Sequence, residues 1–535
     1  MTSKFNTLIF KGLIIIALAP AVLALAVGNP IIGIPVLLIC LSALIPSFRP
    51  LAWTSRQVGA LFSGVFGLIG SLFKTLFGGI FAGLGWLVTG GAVGASRFMG
   101  GWERSWLLSS SHEGFLVDGR SSRLSETASY ENVLVQGGVG KGKSSVFVMP
   151  NLLMPPKAKP SFVILDTSGE IYQHTSGYLA QAGYQIRALN LMDPAQSETY
   201  NPLARITAAS QVAELAKTLI RSANPGARPS DPFWEQAAEK LIRVMAQCLL
   251  NQPHAPYRNL ANLRQLITGF DAHVAHKGQL GKIDKFVLSA TPADQNTFAS
   301  YQAFVQGNFK TIQSVLMSAD VALDPLATPE MAALTGTNSI RFEELRQAPT
   351  ALYVIVNQTQ MALYAFLLNL FYAELFRELL RDPHNPGRPV WLMLDEFGHL
   401  SVDGFGVFAT TARKYKVGFA LFLQSLAQLE GRYGRDDAKT IRESLGTEIY
   451  LPGMALDTAR EIEARLGRTA NAPLMAANEI IRMKGNEALM LHSNRLPVLL
   501  KTKRFFKRGD LKRRSKIAPA PLPQGNAAPP HLLQL

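Results

Sequence analysis

Gly137-Gly138-Val139-Gly140-Lys141-Gly142-Lys143-Ser144 follows directly on the apolar run Val133-Leu134-Val135. The string satisfies GxxxxGK[ST] at Gly137, Gly142, Lys143 and Ser144. A strand ends, glycines let the chain wrap with its N–H groups facing inward, and a helix begins. That geometry cradles phosphates. Residues Gly137 to Ser145 are therefore candidate nucleotide contacts: Gly137, Gly138, Val139, Gly140, Lys141, Gly142, Lys143, Ser144 and Ser145. Lys143 can reach the β and γ oxygens of ATP, and the Ser144 hydroxyl can hold Mg²⁺. A second string supplies the other half of the chemistry. Val390-Trp391-Leu392-Met393-Leu394 runs into Asp395-Glu396, an apolar strand ending in two carboxylates, the Walker B arrangement. Asp395 is expected behind the Mg²⁺, directly or through water, and Glu396 beside the attacking water. Together the two strings imply nucleotide hydrolysis.

Outward from these strings, short apolar strands alternate with amphipathic helices. Strands are expected at 132–136, 162–166, 184–189, 351–357, 390–394, 418–423 and 447–451. This is the pattern of a parallel sheet covered on both faces, an α/β fold. Between residues 201 and 347 strand signals fade. Asp231-Pro232 reads as an N-cap followed by proline at the first helical position. Trp234, Ala237, Leu241, Val244 and Cys248 then mark one helical face, a core stripe in preference to a partner groove. An all-α insertion is expected to interrupt the nucleotide fold.

Lys and Arg exceed Asp and Glu by 15 over 535 residues. An excess of that size favours nucleic acid or anionic lipid as a partner, although charges flanking a membrane would contribute to it. The two cysteines, Cys40 and Cys248, imply neither a disulfide framework nor a metal set, and the nine histidines show no metal spacing. No Ser-His-Asp or Cys-His signature is present.

Residues 7–27 and 31–47 are apolar, split by Gly28-Asn29-Pro30. They read as a transmembrane hairpin, with a cleaved signal peptide as the weaker reading of the first run. Lys4 and Lys11 lie at the start of the first run and Arg49 and Arg56 follow the second, which places both ends in the cytoplasm. A further apolar run at 59–94, rich in Gly and Phe with Lys74 its one charge, could be a second hairpin, a re-entrant segment or an interfacial helix. At the other end, 501–516 carries nine basic residues and one acid. It could hold phosphates or lipid head groups, or form a solvated edge. Residues 518–530 are rich in Pro and Ala and are expected to be disordered.

Several strings resemble one family, the TraG/TraD-type coupling proteins of type IV secretion. Beyond the P-loop they are Asp166-Thr167-Ser168-Gly169-Glu170, Tyr200-Asn201-Pro202-Leu203, Asp231-Pro232-Phe233-Trp234, Leu394-Asp395-Glu396-Phe397-Gly398, Arg413-Lys414-Tyr415, Leu423-Gln424-Ser425, Gln428-Leu429 and Tyr433-Gly434. The resemblance covers about residues 103–500. It implies a RecA-like P-loop NTPase domain with an all-α insertion domain, preceded by an N-terminal transmembrane helical region. Expected boundaries are 1–100 for the anchor, 101–203 and 340–500 for the nucleotide-binding domain, 204–339 for the insertion and 501–535 for the basic, then Pro-rich tail.

It further implies a homo-hexameric ATPase at the bacterial inner membrane. Such a ring would pump relaxase-bound single-stranded DNA or effector proteins into a secretion channel. Alternatives are an ATP-binding docking receptor with little turnover and an FtsK-like double-stranded DNA translocase. By the same resemblance Gln424 is a candidate γ-phosphate sensor, or else a satisfied strand-end amide. Arg413 is a candidate trans-acting finger, or else a surface arginine. The chain departs from the family where Ser168 stands in place of a lysine; the extra Lys141 is a candidate to replace that charge.

Overall fold

The computed structural model describes residues 96–223, 232–525 and 527–535. The expected spans at 7–47, the apolar run at 59–94 and the capping Asp231 lie outside these residues. Among the described residues no helix is long and apolar enough to cross a membrane.

Nine strands form the main sheet: β1 (Val133–Gln136), β2 (Ser161–Asp166), β3 (Gln185–Asn190), β4 (Thr350–Ile355), β5 (Val390–Leu394), β6 (Val417–Leu423), β7 (Thr447–Tyr450), β8 (Glu487–His492) and β9 (Val498–Lys501). Their order is β9-β8-β7-β1-β6-β5-β2-β4-β3. From β7 to β3 every pairing is parallel. The seven expected strands are these seven, each within two residues of its expected ends. The β8–β9 hairpin adds an antiparallel edge beyond β7.

Apolar side chains alternate between the two faces. Leu134, Val163, Leu165, Leu392, Leu394 and Leu421 join one core. Val133, Val135, Phe162, Ile164, Trp391 and Phe422 join the other. Burial on both faces is why these strands read as unbroken apolar runs.

Between β3 and β4 the described chain is helical throughout. The first long helix, α1 (Ala209–Ala223), buries Val212, Leu215, Ala216, Leu219 and Ile220, a 3–4 spacing on one face. It packs in the same core as α2 (Pro232–Leu250) and α3 (Leu260–Thr268). Leu241, Val244 and Cys248 of the expected stripe are buried there. Side-chain N-caps start α3 and two later helices: Asn259 accepts from Asn262 N–H, Asp294 from Thr297 N–H and Asn308 from Thr311 N–H.

The C-terminal tail corrects an expectation. Residues 518–530 were expected to be disordered, yet the tail is laid along the molecule. Tyr172 OH donates to Ala520 O at 2.8 Å and Ala520 N–H to Ser176 Oγ at 3.1 Å. Asn259 and Asn262 both donate to His531 O, and Leu533 N–H donates to Asn262 Oδ1. Backbone hydrogen bonds hold a Pro-rich segment that cannot build its own secondary structure. The approach is close at Gly177, within the helix Glu170–Gln181, where a Cβ would stand 1.9 Å from Ala518 O. Gly→Ala inside a helix ordinarily stabilises by about 1 kcal/mol. Here Gly177→Ala should instead release the tail, seen as faster proteolysis beyond Lys516; unchanged cleavage would refute the contact.

The basic run is also not a uniform charged edge. Arg508 bonds Gly119 O, Arg120 O and Asp510. Arg514 donates to Leu153 O at 2.6 Å and lies over the Tyr178 ring. Lys507, Lys512, Arg513 and Lys516 remain exposed.

Candidate active site

The sheet order brings the two nucleotide strings together at the C-terminal ends of adjacent central strands. β1 leads into the P-loop, β6 lies beside it, and β5 lies beside β6. Val133 faces Ala420 and Gln136 faces Leu423, so Gly137 and Gln424 leave their strands side by side. Gly137 N–H donates to Leu423 O at 3.3 Å.

Two glycines of the loop are required by its shape. Gly142 has φ +115°, a conformation L side chains rarely adopt. A Cβ on Gly138 would stand 2.7 Å from Gly453 O. After Gly142 the chain turns into a wide π-type helical segment, Lys143–Val148. Such segments are uncommon and concentrate at functional sites.

Lys143, Ser144, Asp395, Glu396 and Gln424 converge. Lys143 Nζ donates to Gly137 O at 3.1 Å and lies 3.7 Å from Glu396 Oε1. Ser144 Oγ donates to Asp395 Oδ2 at 3.4 Å, and Gln424 Nε2 to Glu396 Oε1 at 3.2 Å. Glu396 holds φ +51°, a left-handed conformation that costs a non-glycine residue about 1–2 kcal/mol. Asp395 and Glu396 are both buried. Asp395 Oδ1 and Glu396 Oε2 have no hydrogen-bond partner among the described residues. Burial first, then the Glu396 charge, raise the Asp395 carboxyl to about 7, with Lys143 pulling the other way.

The remaining candidates lie elsewhere. Arg413 is bound to Glu131 at 2.9 Å, at the end of the sheet where β1 begins, opposite its own P-loop. Val139 projects at the loop tip, 76% exposed. Lys141 packs along Gly453, in the loop after β7, whereas Ser168 follows β2 on the other side of β1. Lys141 therefore does not replace a charge at Ser168. The Ser168 hydroxyl instead accepts from Glu170 N–H and approaches Asp166 Oδ1. Asp166 in turn accepts from Ser168, Gly169 and Tyr172 N–H, fixing the turn into the following helix.

Sequence reasoning gave no role to His399 or Gln428. His399 Nε2 lies 3.7 Å from Glu396 Oε2, one helical turn on. Gln428 Oε1 accepts from Gln424 N–H and Ser425 N–H, tying down the loop that carries Gln424.

Residues 107–471 match the family described as type IV secretory system conjugative DNA transfer. The chain belongs to this family. Among its relatives are VirD4 of Agrobacterium fabrum, 23% identical over 73% of this chain and 61% of that protein, and VirD4 of Rhizobium rhizogenes, 24% identical over 62% and 49%. The conjugal transfer protein TraG of Rhizobium radiobacter is 23% identical over 71% and 62%. This chain thus spans about half to three fifths of the length of these relatives. In structure it is similar to the bacterial conjugative coupling protein TrwBdeltaN70, with a TM-score of 0.63 at 18% identity over 82% of this chain and 99% of that one. TrwB in complex with ADP and Mg²⁺ gives 0.59 at 17% over 77% and 94%. These likenesses and the parallel sheet fit a RecA-like P-loop fold carrying a helical domain for this member of the conjugative DNA transfer family.

Proposed function

We propose that this chain is an ATP-hydrolysing motor. It would be anchored in the bacterial inner membrane by residues 1–100 and would drive relaxase-bound single-stranded DNA, effector protein or both into a type IV secretion channel. The observation that carries the reading is the meeting of Lys143, Ser144, Asp395, Glu396 and Gln424 at the C-terminal ends of adjacent central strands.

The residues fit a Mg²⁺–ATP pair. Ser144 Oγ and the Asp395 carboxylate are hard oxygen donors, and Asp395 Oδ1 is free of hydrogen bonds within the described chain. Mg²⁺ bound there supplies positive charge to the phosphate oxygens. Lys143 exchanges its Gly137 and Glu396 partners for the β and γ oxygens. Glu396 takes the proton of the attacking water through Oε2, which has no hydrogen-bond partner among the described residues. Gln424 orients Glu396 and, as a neutral amide, detects the γ-phosphate without cancelling its charge. Arg413 stands too far round the sheet to serve its own P-loop, so it acts on the neighbouring subunit of a ring, a homo-hexamer, after release from Glu131.

The test is the ATPase rate of the full-length protein with and without single-stranded DNA, beside Lys143→Ala. Turnover should rise several-fold with DNA. The variant should lose at least about 100-fold, because the missing ammonium stabilises charge that develops in transfer. ATP binding with no turnover under either condition would reject the motor in favour of a docking receptor.

A further inference from the structure

The residues above account for the phosphate end of a nucleotide and leave its nucleoside end without partners. The sheet order limits where that end can lie. Gln424 and the two carboxylates stand on β6 and β5, to one side of β1, while β7, β8 and β9 stand on the other. The γ-phosphate faces the carboxylates, so the nucleoside leaves the cradle on the side of β7–β9.

The chain after β9 comes from that side, passes the P-loop at Arg504 and reaches the helix Glu170–Gln181, where Phe505 meets His174. Lys503 N–H donates to Asp118 O at 2.9 Å. Arg504 Nη2 donates to Gly140 O at 3.4 Å, and its Nε lies 3.8 Å from the place a Cβ on Gly142 would occupy. A short helical turn, Phe505–Lys507, follows. It is held by Lys507 N–H to Arg504 O and Arg508 N–H to Phe505 O, each 3.0 Å. Phe505 turns inward against His174. Phe506 turns outward, 42% exposed, edge-on to Phe505 at 5.5 Å and 6.0 Å from the Arg504 guanidinium.

The Phe506 ring is open to water on a pinned turn. Here it stands next to an arginine that touches the shoulder of the P-loop. A charged edge alone would call for neither feature; the exposed lysines nearby supply that edge.

We propose that Phe506 and Arg504 form the nucleoside subsite of the ATP site, a reading that rests on the proposed nucleotide site itself. The Phe506 ring stacks on the base, and the Arg504 guanidinium props the ring and faces the α-phosphate. Stacking is blind to the hydrogen-bonding edge of the base. The subsite therefore prefers purine over pyrimidine nucleotides by ring area and does not separate adenine from guanine.

The test is binding of ATP, GTP, CTP and inorganic tripolyphosphate, each with Mg²⁺, to the full-length protein by isothermal titration calorimetry. Phe506→Ala should weaken ATP and GTP about tenfold, the loss of one base–aromatic stack, and CTP less. Tripolyphosphate, which has no base, should keep its affinity within about twofold, and Phe506→Trp should restore ATP binding. Equal weakening of ATP and tripolyphosphate would overturn the proposal, since the ring would then act through the shape of the P-loop. Unchanged ATP affinity would overturn it too. A parent protein that binds neither ATP nor tripolyphosphate would reject the nucleotide site as a whole, and the subsite with it.

Discussion

Glu396→Gln should leave nucleotide bound and lower turnover by about 1,000-fold, the range of a lost general base. The substitution keeps the shape of the side chain and an oxygen to accept from Gln424 Nε2, now 3.2 Å from Glu396 Oε1. It removes the charge 3.7 Å from Lys143 Nζ, so the lysine is freer to meet phosphate, and ATP affinity should hold or rise. It also removes the basicity of Oε2, which has no hydrogen-bond partner within the described chain and faces His399 at 3.7 Å. Phosphate release measured beside ATP binding separates the two effects. Turnover within tenfold of the parent would place the base elsewhere. Loss of binding in step with turnover would mean that Glu396 holds the loop and not the water.

The contrast between what the sequence disclosed and what it hid follows from burial. The central strands are apolar on both faces, so 162–166 and 390–394 announce themselves as unbroken runs. The β8–β9 hairpin does not. Its apolar runs, 488–491 and 498–500, are short and separated by a loop at 493–497, and Glu487 pairs with Lys501 across its outer end, so neither run stands out as a strand. The phosphate end of the site was legible because each motif is local. A strand end and a glycine turn lie within a few residues of one another at 133–144, and a strand end and two carboxylates do so at 390–396.

The rest of the site depends on distance along the chain. Arg504 meets Gly140 across more than 360 positions, and only the order of the sheet makes them neighbours. Lys141 misled for the same reason. Its position in the loop suggested compensation for Ser168, but the charge lies on the far side of β1 along Gly453. Composition misled about the tail. Proline and alanine remove the means of local structure, yet Asn259, Asn262 and Ser176 offer hydrogen bonds to the tail backbone from outside it.

Asp395→Asn should give a nucleotide-free protein that is more stable than the parent at pH 8 and that Mg²⁺–ATP no longer stabilises. Asp395 sits buried beside Glu396 with its carboxyl raised to about 7, against an ordinary value near 4. The folded chain therefore holds a proton that the unfolded chain gives up between about pH 4 and pH 7. Stability falls as pH rises through that window and is level above it. A displacement of about three pH units corresponds to at most about 4 kcal/mol. A buried amide that finds no acceptor returns about 1–3 kcal/mol of this, leaving a net gain of about 1–3 kcal/mol at pH 8 that falls as pH drops and becomes a net loss of about 1–3 kcal/mol near pH 4. Melting temperatures from pH 5 to 8, with and without Mg²⁺–ATP, read both halves. A variant no more stable than the parent at pH 8 would show that the carboxylate is not under strain. The expected result would instead mean that the empty site holds a charge at a cost, and that a divalent cation relieves it. Nucleotide binding would then be favoured by the release of that repulsion as well as by the cradle, because a divalent cation gives Asp395 Oδ1 the partner it lacks among the described residues.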